Sequence, residues 1–368
     1  MKDGLEIDDE SARSRLASFS LGGVLGLMMI LSSTSWSRPA PPLKAQGPQV
    51  LPPSPSCFVR PTYAMSDVEI HRDIRYGGAI NPYSGQFHPL LLDFYHSRVD
   101  GRAQRPAVVL LHGGYLVSGD KASDSMPQLA TVLAQRGYAV VSINYRKAPA
   151  SVLSTDLMQF DPAQAVRIVE MVQEDARAAV RFLRRMAQAW RIDVNRILVG
   201  GDSAGAVAAL YYGYVEKAPE GSSGNPGFSS TIHAVLAISG TLRAEAYCDS
   251  VTQDLLALGC KITAPPAPDL TSEISKGDVP MLLWHGGQDT VIPITNAIAS
   301  MKRAQAVGVP SLLVMIPDGG HVPMAQGLEP TLPYLSRWLS FVAGSLNLTE
   351  AQCPQQRGVD LDQPAISV

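Results

Sequence analysis

Gly201–Gly205 reads Gly-Asp-Ser-Ala-Gly, directly behind the apolar run that ends at Val199. A G-x-S-x-G pentapeptide between a strand and a helix makes a sharp turn that exposes its serine as a nucleophile. The glycines leave room for neighbouring backbone, and Ala206, Ala208 and Ala209 let the next helix approach closely. Ser203 then opens a helix, whose dipole favours developing negative charge. Standing alone, the pentapeptide also fits a small-residue packing turn.

A serine nucleophile needs donors for the oxyanion of its tetrahedral intermediate. "HGGY", 112–115, follows the apolar run 107–111, and its glycine N–H groups can approach a reacting carbonyl. The hole is therefore assigned to Gly113 or Gly114 together with Ala204, the residue after the nucleophile. The His112 imidazole is read as orienting the turn, whereas Tyr115 either lines the pocket or packs on the core.

A carboxylate and an imidazole complete the set. "HGGQDTVIP" puts Asp289 behind the run 280–284, and "PDGGHVP" puts His321 on a glycine loop behind the run 311–316. A neutral imidazole can take the serine proton and return it to a leaving group, while the carboxylate holds its tautomer. Asp202 and Asp278 compete for the acid role, but neither leaves the carboxyl end of a strand. His285 is the nearest rival to His321, yet it precedes Asp289, and Asp318 reads as a loop residue. The order Ser…Asp…His, each on a post-strand loop, is far harder to reach by chance than any one motif.

These residues need a scaffold that gathers strand ends. Short apolar runs at 90–95, 107–111, 138–143, 196–200, 232–238, 280–285 and 311–316 alternate with helical patterns near 124–136, 161–190, 204–216, 294–307 and 332–344. Such alternation predicts an α/β fold with a mostly parallel central sheet covered by helices. Asp161 suits a helix cap and Pro162 the first helical position. Thr241 to Asp278 forms a longer insert, read either as a small cap over the pocket or as a disulfide-stapled loop.

The chain of 368 residues is 46% hydrophobic and 17% charged, with a formal charge of −3. That balance gives no reason to expect nucleic-acid binding. Phe19–Leu31 is apolar, preceded by Arg13 and Arg15 and followed by "SSTSWS". Residues 1–37 are therefore expected to be a signal peptide, or alternatively a signal anchor, since the five acids before the run are atypical. The expected location is secreted or extracytoplasmic; the alternative is anchoring through residues 19–31, the only route to membrane contact. Residues 38–56 are rich in proline and read as a linker, 57–350 as the catalytic domain and 351–368 as a tail. All four cysteines lie beyond the apolar run, and an even count in an exported chain favours disulfides. Cys248 with Cys260 would close a local loop and Cys57 with Cys353 would tie the domain ends. Connectivity itself is not fixed by sequence. Asn347 opens an "NLT" glycosylation sequon.

With HGG at 112–114, GDSAG at 201–205 and the partners Asp289 and His321, residues 65–345 resemble the α/β-hydrolase superfamily, in its carboxylesterase and lipase-like branch. The resemblance implies a doubly covered sheet, an acyl-serine mechanism on small-molecule esters, and neither metal nor organic cofactor. "SINYR", 142–146, resembles a strand-end motif that braces the oxyanion loop in that branch, and Asp175 resembles a structural helix acid. Many hormone-sensitive-lipase-like members have a third glycine where Tyr115 stands. HGGY also resembles arylformamidase-type enzymes, so an amidase, formamidase or exopeptidase stands as the alternative, and a non-catalytic binding module as the remote one.

Overall fold

The computed structural model describes residues 56–353, apart from 124, 154–161, 217, 244–268 and 327–330. Its centre is an eight-stranded sheet. The strands are β1 (Val68–Ile80), β2 (Phe87–Ser97), β3 (Arg105–Leu111), β4 (Ala139–Ile143), β5 (Ile192–Asp202), β6 (Ala234–Ile238), β7 (Met281–Gly286) and β8 (Ser311–Ile316). They lie in the order β1-β2-β4-β3-β5-β6-β7-β8. β1 pairs antiparallel with β2 and β2 with β4. Every pair from β4 through β8 is parallel.

Five longer helices connect the strands: α1 (Met126–Ala134), α2 (Pro162–Arg185), α3 (Ser203–Tyr214), α4 (Ile294–Val307) and α5 (Leu332–Ser345). The alternation along β3 explains how they divide. Val109 and Leu111 join a core with Val172 of α2, Ala206 of α3 and Met301 of α4. Val108 and Leu110 join the other, with Leu129 of α1 and Trp338 of α5. Successive strand side chains point to opposite faces, so a strand buried on both sides needs apolar residues at every position. All seven β3 residues are buried. The doubly covered, mostly parallel sheet is the architecture expected.

β1 was not expected. It is mostly exposed, and its ladder with β2 slips between His71 and Ile74 and again between Arg75 and Gly77. Each slip breaks the period-2 alternation by which a half-buried strand is recognised. Pro162 does open α2; Asp161 lies outside the described residues.

Cys57 is bonded to Cys353, with Cα atoms 5.7 Å apart, as the sequence reading favoured. Cys248 and Cys260 fall outside the described residues, as do the segment 19–31, the linker to residue 55 and most of the insert. The two roots of the insert lie side by side: Arg243 bridges Asp269 antiparallel, and the Leu270 N–H donates to the Leu242 carbonyl at 3.1 Å. Among the described residues no helix is long and apolar enough to cross a membrane.

Candidate active site

β5 runs straight into α3, with Asp202 as the last strand residue and Ser203 as the first of the helix. Ser203 carries the turn with φ of 48°, a left-handed conformation that costs a side-chain-bearing residue energy. What forces it there is close backbone approach. A Cβ on Gly205 would collide with the carbonyl oxygens of Leu111 and His112, and one on Gly201 with that of Leu111. The Ser203 turn thus lies directly on the end of β3, where the HGG turn begins. A Cβ on Gly113 would stand 3.2 Å from the Ser203 Cβ.

Side chains from β4 and its continuation hold the HGG turn. The Tyr145 hydroxyl donates to the His112 carbonyl at 2.6 Å and its ring stacks on the imidazole at 4.3 Å. His112 Nδ1 donates to the Gly113 carbonyl at 2.7 Å. Asn144 accepts from the Lys121 N–H at 2.8 Å and donates to Asp120 at 2.8 Å, while the Ser142 hydroxyl donates to the Lys121 carbonyl at 2.7 Å. Arg146 bonds the buried Asp175, which also accepts from its backbone N–H at 2.8 Å and from the Ser223 hydroxyl at 2.6 Å. Ser142, Asn144 and Tyr145 of "SINYR" therefore touch the loop that the motif was expected to brace, whereas Arg146 is bonded to Asp175. Tyr115 does not join the core: it is 43% exposed. Partial burial and the Asp289 charge push its hydroxyl pKa up.

The loops after β7 and β8 meet backbone to backbone. A Cβ on Gly286 would strike the carbonyl oxygens of Gly319 and Gly320. The Gly287 N–H donates to the Ile316 carbonyl at 2.7 Å and the Gln288 N–H to the Gly319 carbonyl at 2.9 Å. Val322 is tied to the end of β6, its N–H donating to the Ser239 hydroxyl at 3.0 Å.

These contacts bring Ser203, Asp289 and His321 into one chain. His321 Nε2 lies 2.8 Å from Ser203 Oγ, and Nδ1 lies 3.0 and 2.9 Å from the two Asp289 oxygens. Because a carboxylate only accepts, Nδ1 carries the proton and Nε2 faces the serine as acceptor. Asp289 also accepts from the Val291 and Ile292 N–H groups at 3.0 and 2.8 Å. The rival acids are occupied elsewhere: Asp202 accepts from Ser125 at 2.7 Å and Asp278 from the Ser275 N–H at 2.8 Å.

Sequence order set His285 aside, yet it is built into the site. Its Nε2 stands 3.2 Å from Asp289 Oδ2 and 2.7 Å from the Ile292 carbonyl, and it is fully buried. Burial alone would raise the Asp289 carboxyl pKa. Hydrogen bonds from His285 and His321 outweigh it and hold the group well below the usual carboxylate range. The signal was present in "HGGQD": a tight turn after β7 folds position 289 back onto 285.

One and two turns beyond Ser203, Val207 and Tyr211 of α3 line an apolar pocket with Val166 and Val169 of α2 and with Leu242 and Leu270 at the insert roots.

Among known families, the BD-FAE family model matches residues 92–303. Esterase LipC of Mycobacterium tuberculosis is 24% identical over 245 residues, covering 63% of this chain and 56% of its own length, so this chain spans little more than half of that relative. Among solved structures, a truncated carbohydrate esterase from gut microbiota superposes with a TM-score of 0.55 at 19% identity, over 80% of this chain and all of that one. Esterase 2 of Thermogutta terrifontis, phosphonylated by sarin, gives 0.53 at 21% identity, over 75% of this chain and 94% of that one. Together with the strand order, these likenesses identify the fold as that of the α/β-hydrolases.

Proposed function

The chain belongs to the BD-FAE family, and from that premise we propose that it is a serine hydrolase of carboxylic esters with Ser203, His321 and Asp289 as its catalytic residues. The observation that carries the proposal is the continuous hydrogen-bonded path from Ser203 Oγ through both His321 nitrogens to Asp289. Known relatives that are themselves esterases support it.

Ser203 Oγ attacks the ester carbonyl carbon as its proton passes to His321 Nε2. Asp289 holds the opposite ring proton and steadies the imidazolium. The oxyanion is held by the N–H groups of Gly113 or Gly114 and of Ala204, which sits in the first turn of α3 where N–H groups have no intrahelical partner. Collapse breaks the bond to the alcohol oxygen, which takes the proton from His321, and leaves an acyl-serine. Water, deprotonated by the same imidazole, then releases the acid. General acid–base catalysis of this kind contributes about 10²–10⁴-fold. The apolar pocket beside α3 takes the acyl chain.

The mature chain is proposed to be exported after removal of residues 1–37. The Cys57–Cys353 bond supports that reading, because disulfides persist in oxidising compartments. Residues 57–350 would then be the catalytic domain.

A fluorophosphonate probe and a p-nitrophenyl ester series test the assignment together. Labelling of Ser203 with turnover of short acyl esters is expected. Turnover that survives Ser203→Ala, or that is confined to aminoacyl amides, would overturn it.

A further inference from the structure

At the other edge of the sheet, with β4 and β3 between it and the nucleophile strand, β1 and β2 bring two imidazoles and a carboxylate together. The ladder pairs Glu69 with His96 and His71 with Phe94. Residues two apart on a strand share a face, so all four side chains stand on one side of the hairpin. His71 Nε2 lies 3.2 Å from His96 Nε2 and 3.4 Å from Glu69 Oε1, and the other Glu69 oxygen lies 4.0 Å from His96 Nε2.

We propose that Glu69, His71 and His96 form a binding site for a divalent transition-metal ion of the zinc type. Zinc bonds of about 2.0–2.2 Å at tetrahedral angles put ligand atoms about 3.4 Å apart, and the two closest separations are of that size. Proton bookkeeping points the same way. His96 Nδ1 lies 3.1 Å from the Ser97 carbonyl, which only accepts, so Nδ1 holds the proton and Nε2 offers a lone pair. A backbone carbonyl in that position is the usual partner behind a metal-bound histidine. The cluster then has lone pairs on Nε2 of His96 and on both Glu69 oxygens, and one N–H, on His71, to share among them. A cation satisfies what a single proton does not. On binding, the His71 Nε2 proton relocates through solvent to Nδ1, and both imidazoles ligate as neutral groups.

The ligands are held in advance. Phe94 stacks on His96 at 4.7 Å and on Trp190 at 4.0 Å, and the two imidazoles lie within 7° of parallel. The Glu69 and His71 side chains are about half exposed and that of His96 is 13% exposed. An ion therefore enters from solvent and keeps a position for water. Three ligands from two strands clip the exposed edge strand immediately before its first register slip.

The test uses the full chain without a polyhistidine tag, stripped with chelator and titrated with Zn²⁺ by calorimetry. The same titration with Co²⁺ reports ligand geometry by visible absorption. One ion per chain is expected, with binding weakened at least about a hundredfold in His71→Ala and in His96→Ala. Glu69→Gln keeps the shape of the site and is expected to weaken binding too, whereas His88→Ala, elsewhere on β2, retains full affinity. Failure of the wild-type chain to bind either ion, or equal affinity in wild type and His71→Ala, overturns the proposal.

Discussion

The rim where β5, β7 and β8 end and the edge formed by β1 and β2 are built by opposite means. At the rim, loops touch through main chain: Gly205 under the β3 carbonyls and Gly286 against Gly319 and Gly320. At the edge, main-chain pairing is interrupted twice, and long side chains span the gaps. Lys121 reaches Asp73 at 2.8 Å and the buried Asp93 at 3.0 Å, and Arg72 reaches Asp93 at 3.2 Å. Main-chain contact fixes positions tightly but leaves no slack for a Cβ. Side-chain spans tolerate distortion, at the cost of burying charge. Chemistry that fails when atoms shift by about an ångström belongs at the first kind of place.

Breaking the rim chemically separates function from stability most sharply. Ser203→Ala is expected to lower kcat about 10⁴–10⁶-fold while leaving the melting temperature within a degree or two, as a paired p-nitrophenyl ester assay and thermal melt will show. Breaking the rim sterically couples the two. Gly286→Ala forces apart the loops carrying Asp289 and His321. It should cost about 1–3 kcal/mol of stability and about 10²-fold in turnover, read from denaturant unfolding and from kcat of the folded fraction. A loss of stability with unchanged turnover would show that the loop contact does not set the triad geometry.

Breaking the edge should do the reverse. Lys121→Met leaves Asp93 buried with a weaker counter-charge, which is expected to cost about 3 kcal/mol, while kcat of the folded protein stays within a few-fold. A larger kinetic effect would mean that edge and rim are coupled through the 112–121 loop. The smallest effect sharpens the rim alone. His285→Gln removes one of the two imidazoles holding Asp289 and should lower kcat about tenfold. It should also raise the Asp289 pKa. A carboxyl held low in the folded state stabilises above its unfolded pKa of about 3.8–3.9, and that contribution is lost as pH falls toward the folded value. The acid-unfolding midpoint of His285→Gln is therefore expected at higher pH than that of wild type.

The same contrast decides what could be read from sequence. Contact between main chains demands glycine, so HGG, GDSAG and the glycines before His321 were visible as residue types at strand ends. The strands buried on both faces were visible as unbroken apolar runs. β1 was not, because its slips destroy the alternation and its exposed face carries charge. The His285–Asp289 contact was overlooked because chain order was used to rank histidines, whereas a turn makes positions four apart neighbours. The edge cluster was invisible for a related reason: Glu69, His71 and His96 meet only through strand register, which no local pattern encodes.

The Cys57–Cys353 bond joins residues 296 positions apart and closes the chain between them into a covalent ring. A protease that nicks an exposed turn inside it, such as the one at Ser84–Gly85, opens the ring without releasing a fragment. The nicked molecule keeps its mass on a non-reducing gel and separates into two pieces only after reduction. A single cut would then be damage the molecule can carry.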